Sequence, residues 1–163
     1  MHEDLDDRRS ADREPPLRLC PEVPLPDAPY RPGTEGRRPE LPELSDADPW
    51  PRSAVVRFGL DLLNHGFPWE AHEVWERPWR ARRTTDPAGA ELLQTLIQLA
   101  AARVLARDGR TTGARRVVER ALAHLAASRT EAPRFGLAPE EIESALRGAP
   151  DSRPLPVPPL VPR

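Results

Sequence analysis

The sequence has no lysine: all 24 of its basic side chains are arginine. Schiff-base chemistry and a lysine nucleophile are therefore excluded. Cysteine is almost absent, and the single Cys20 has no partner for an internal disulfide, so a reducing, cytoplasmic setting is expected. No apolar run is long enough to span a membrane, and the polar start "MHEDLDDRRSADREPP" lacks the hydrophobic centre of a secretory signal. A formal net charge of -2 over 163 residues gives no reason to expect a nucleic-acid or membrane partner. Alternating apolar and polar positions, the mark of a half-buried strand, are missing, and so is any internal repeat.

Proline, by contrast, is plentiful and unevenly placed. Residues 1–48 hold nine of the 22 prolines and 150–162 hold six more. Segments of that composition bury too little apolar surface to offset the entropy of ordering them. Three regions are expected: an acidic, mostly disordered arm over 1–48, a helical domain over 49–148 and a disordered tail over 149–163. Leu19, Val23, Leu25 and Tyr30 are the arm residues best able to lie along the domain surface.

Within 49–148 the apolar spacing is helical. Asp48 and Pro49 offer a cap and a first turn for a helix carrying Val55, Val56, Leu60, Leu62 and Leu63, with Gly66 as its left-handed stop. Pro68 restarts a second helix at once, so the two should lie antiparallel. Pro78 should kink or end that second helix, because its ring clashes with the carbonyl of Val74. Asp86, Pro87 and Gly109 bracket a third helix that is apolar on most sides and hence central. A fourth follows through "TTGARRVVERALAHLAAS" and a short fifth through "LAPEEIESALRG". The expected fold is all-α: a single bundle of about five helices with one core.

Chemistry concentrates in "NHGFPWEAHEVWERPWR", residues 64–80, with two of the four histidines, three of the four tryptophans and three glutamates. On a helical wheel His72, Glu76 and Trp79 fall within about 60° of one another, and His72 and Glu76 stack one turn apart. This "HEVWE" resembles the helical zinc arrangement in which two ligands at i and i+4 bracket a glutamate, with Glu76 in place of a second histidine. Gln94 and Gln98 share a face of the third helix, and a buried amide demands polar company. An internal cluster of Asn64, His65, Glu70, His72, Glu73 and Glu76 against Gln98 is expected.

Two readings of that cluster stand side by side. In the first it is structural: Glu73 pairs with Arg77, Arg80 or Arg103 neutralises Glu76, and His72 is held between Glu76 and Gln98, fixing the bundle register. In the second, His72 and Glu76, with His65, ligate a divalent metal such as zinc or manganese, Asn64, Gln94 and Gln98 bind a small polar ligand, and Glu73 or Glu70 acts as general base in metal-assisted hydrolysis. A homo-oligomer is compatible with either. Arginines on the fourth helix, interleaved with Glu119, read as a solvated face, and His124 receives no role.

The stretch "FGLDLLNHGFPWEAHEVWERPWR" followed by "LLQTLIQLAAARVLARDGRTTGARRVVERALAHL" resembles the bacterial and archaeal family known as domain of unknown function 309. Asn64, Gly66, Trp69, Glu70, Ala71, His72, Glu73, Glu76 and Trp79 fit its first motif. Leu96, Ile97, Gln98 and Ala100 fit its second, with Thr95 where glycine is usual. Pro78 departs from the pattern. The resemblance spans about residues 52–128 and implies a small helical domain; members are sometimes labelled predicted metal-dependent hydrolases.

Overall fold

A computed structural model of the chain describes residues 14–47 and 52–157. The first helix, α1, runs Ala54–Asn64. Asp48 and Pro49, expected to open it, lie outside the described residues; the cap is Ser53, whose hydroxyl accepts from the Val56 N–H at 3.4 Å. Gly66 takes φ +88°, a left-handed value that favours glycine. That turn lets the Phe67 N–H donate back to the Leu62 carbonyl at 2.8 Å and closes the helix.

Helix α2, Pro68–Thr85, begins with proline where the missing N–H costs nothing. It also continues through Pro78, so of the expected kink or end, the end does not occur. Pro78 is itself buried, so packing against the bundle offsets the lost hydrogen bond. Asp86 then caps α3, Pro87–Arg107, by accepting from the Gly89 N–H at 3.1 Å. Helix α4 spans Thr111–Ser128, a 3-10 segment covers Arg129–Phe135, and α5 spans Pro139–Arg147.

Helix α3 is central, flanked by α2 and α4 and touched by the 3-10 segment and α5. Leu92, Leu93, Leu96, Leu99 and Ala100 are fully buried along it, as its nearly all-round apolar pattern requires. Trp75 of α2 is also fully buried and lies against Gly59 of α1, where a Cβ would overlap the indole. Its Nε1 donates to the Val56 carbonyl at 3.4 Å, so the one polar atom of the ring is satisfied. Among the described residues no helix is long and apolar enough to cross a membrane, and extended pairing is limited to an isolated bridge between Asp46 and Ser53.

Parts of the two proline-rich arms fall within the described residues and pack on the bundle. Residues 14–47 form no helix, yet Leu19 and Cys20 are buried in the core and Val23, Leu25, Leu41 and Leu44 pack on it. In the tail Leu155 is buried as well. Side chains of the bundle hold much of these segments, together with a backbone bond from the Val55 N–H to the Ser45 carbonyl at 3.0 Å.

Candidate functional site

The sequence motif is dealt out to three places. On one flank of α2, His72 Nδ1 lies 3.5 Å from Glu73 Oε1 and His72 Nε2 lies 3.4 Å from Glu76 Oε1. One ligand atom from each of these three residues falls within 4.8 Å of the others. The three side chains are 25–29% exposed, so the expected inward seam is a half-open patch instead. Its charge is already balanced: Arg80 pairs with Glu76 at 2.8 Å, and Arg38, from the arm, with Glu73 at 3.3 Å. The expected Glu73–Arg77 pair is replaced, since the Arg77 guanidinium donates to the Leu44 carbonyl.

Glu70 is not part of that patch. It is fully buried, with one carboxylate oxygen accepting from the Tyr30 N–H at 3.2 Å and the other without a hydrogen-bond partner among the described residues. Burial raises its pKa, opposed by the Tyr30 hydrogen bond, one from its own backbone N–H and the nearby Arg107 charge. The Tyr30 ring lies 4.4 Å from that of Trp69, whose indole also carries the Arg38 guanidinium at 5.0 Å.

Asn64 is engaged elsewhere. Its amide donates to the Leu155 carbonyl at 3.0 Å and accepts from the Leu155 N–H at 2.7 Å. Among the described residues, His65 has a buried Nε2 with no hydrogen-bond partner, and the same holds for Gln98 Oε1. That oxygen therefore makes no bond to His72, and the expected meeting of the imidazole with the central amide does not occur. The physical reason is angular: Ala71, Val74, Trp75 and Pro78 fill the inward face of α2, leaving His72 and Glu76 on its edge. Gln94 lines a shallow pocket of about 250 Å³ with Trp79, Arg83, Glu91 and His124.

Several polar residues escaped the sequence reading. Asp61, buried within the apolar face of α1, accepts from the Leu19 N–H at 2.7 Å, the Cys20 N–H at 2.8 Å and Arg18 Nε at 3.1 Å. The signal was present in a lone aspartate between Leu60 and Leu62, which demanded partners if buried. Arg82, also buried, is held by Asp46 at 2.9 Å and Asp86 at 2.6 Å, and Arg134 reaches Asp86 from the 3-10 segment. Burial alone would lower the Arg82 pKa, but those carboxylates raise it. His124 Nδ1 lies 2.6 Å from Glu91 Oε2.

Residues 56–117, covering most of α1, all of α2 and α3 and the start of α4, match the family model described as "Domain of unknown function (DUF309)". The family resemblance of the sequence is supported over that segment; both arms lie outside it. Neither the curated proteins nor the solved structures gave a match.

Proposed function

We propose that His72, Glu73 and Glu76 bind a divalent transition-metal ion on the open flank of α2. The reading rests on one observation, the approach of three potential ligand atoms to within 4.8 Å of one another. An imidazole with two carboxylates is a donor set suited to zinc or manganese. The ion would supply Lewis acidity there. The two arginines now paired with the carboxylates are 65% and 68% exposed, so displacing them costs little.

The same geometry favours binding over metal-assisted hydrolysis. Glu73 is taken up as a ligand, and Glu70 is sealed beneath the arm, which leaves the patch without a separate carboxylate to act as base among the described residues. The structural alternative draws on Arg38 and Arg80, which neutralise the cluster without any ion. A cytoplasmic location accords with an inert Cys20, fully buried and with its thiol pKa pushed up to about 11, chiefly by that burial. We expect no nucleic-acid partner, because the overall charge is slightly negative.

The test is a titration of the purified full chain with zinc or manganese, following melting temperature and bound metal. One equivalent of bound ion and a rise in melting temperature that depends on metal concentration are expected. Both should vanish in the double variant His72→Ala, Glu76→Gln. Equal uptake by the variant, or no uptake by the wild type, overturns the proposal.

A further inference from the structure

We infer that the outer face of the α1–α2 hairpin is a docking track for an extended, proline-punctuated polypeptide, a track that this chain fills with its own residues 18–46. The grip is made by side chains of the bundle on the main chain of the arm. Asp61 accepts from the backbone N–H groups of Leu19 and Cys20, and Glu70 accepts from that of Tyr30. Arg57 Nη1 donates to the Leu19 carbonyl at 3.3 Å, and Arg77 to that of Leu44. All four of these bundle residues lie within the segment that matches the family, and all their partners lie outside it.

A segment held by its own secondary structure would satisfy its backbone through a helix or a sheet ladder. This one has neither, and few of its side chains are buried. Leu19 and Cys20 act as the apolar anchor, Tyr30 packs against Trp69 in a tilted contact, and Asp46 closes the far end on Arg82. Between these points the chain passes twice over Phe58, as Pro24–Asp27 and again as Pro39–Pro42, leaving a space of about 400 Å³ between the passes. Spaced anchors, an extended backbone read by carboxylates and arginines, and incomplete filling are the features of a bound peptide. Proline suits such a ligand, because it stiffens the chain before docking and lowers the ordering entropy. The partner that fits is therefore an extended segment with an apolar anchor following an arginine, as in Arg18–Leu19–Cys20, and an aromatic about ten residues later.

The experiment uses the full chain with positions 48–51 replaced by a protease recognition sequence. After cleavage, the freed arm competes on equal terms with a fluorescent synthetic peptide of residues 14–47, because the tether no longer raises its effective concentration. We expect saturable exchange of labelled for unlabelled arm while the helical circular dichroism of the bundle persists. A peptide carrying Arg18→Ala should bind about tenfold more weakly, since it loses the charge-assisted bond to Asp61. A scrambled peptide should not bind. The inference is overturned if the arm departs and no peptide binds an intact bundle, or if exchange occurs only when the helices unfold. It is equally overturned if scrambled and native peptides bind alike.

Discussion

Asn64 and Leu155, 91 positions apart in the chain, exchange two hydrogen bonds between one amide side chain and the backbone N–H and carbonyl of one residue. An asparagine at the end of α1 thereby fixes the C-terminal tail, and Leu155 is buried beside it. Replacing Asn64 with Ala should cost about 1–2 kcal/mol, the worth of the paired bonds and of the peptide groups they leave unmatched. The sharper readout is hydrogen exchange: the Leu155 amide should lose its protection while the amides of α3 keep theirs. Unchanged exchange at Leu155 would count against the clamp.

Asp86 joins three elements, since it caps α3, holds Arg82 of α2 and receives Arg134 of the 3-10 segment. Asp86→Asn should destabilise by about 2–3 kcal/mol, because Arg82 is left in a buried position with a single carboxylate. In a chain of this size that amounts to a fall in melting temperature of roughly 4–12 °C. Burial raises the Asp86 pKa, but the bonds from Arg134, the Gly89 N–H and Arg82 outweigh it and hold the value below 3.8. The stability it contributes is therefore full above its ordinary pKa and is lost as pH falls through the depressed one. The variant should show a shallower acid transition.

Glu70 should give the opposite sign. Its folded pKa is raised above 4.5, mainly by burial. Its contribution is then greatest below that ordinary value and is lost as pH rises through the raised one. Glu70→Gln keeps an oxygen for the Tyr30 N–H and never ionises. The stability of the wild type relative to this variant should fall as pH rises above about 4.5 and then level off. Denaturant unfolding at a series of pH values measures the difference, and parallel curves would show that Glu70 is not desolvated.

Gly59 faces the Trp75 indole with no room for a side chain. Gly59→Ala raises helix propensity by about 1 kcal/mol, yet overpacking in a filled core costs typically 1–3 kcal/mol. The net effect should be destabilising, together with a change in the near-ultraviolet signal of the buried tryptophan. A more stable protein with an unchanged spectrum would show that α1 and α2 can part at little cost.

The helices were legible because their punctuation is local. Asp86 and Pro87 open α3, and Gly66 and Gly109, expected to end α1 and α3, both take positive φ there, since caps and stops depend on neighbours a few residues away. Pro78 does not end α2 for the complementary reason: its local penalty is real, but burial against the bundle outweighs it. The HEVWE spacing likewise foretold that His72 and Glu76 would meet, which they do at 3.4 Å. It carried no information on which way their shared edge would face.

By itself, then, the sequence determined an all-helical bundle, its order of helices, a central α3 and the adjacency of His72 with Glu76, because each follows from periodicity and short-range stereochemistry. Only the tertiary structure decided that Asn64 and Glu70 would be drawn away from that pair to hold Leu155 and Tyr30. It alone decided that Leu19 and Cys20 of the proline-rich arm would be buried in the core. Burial at such positions is settled by what arrives from distant parts of the chain, and a polar group removed from water takes whichever partner is brought within reach.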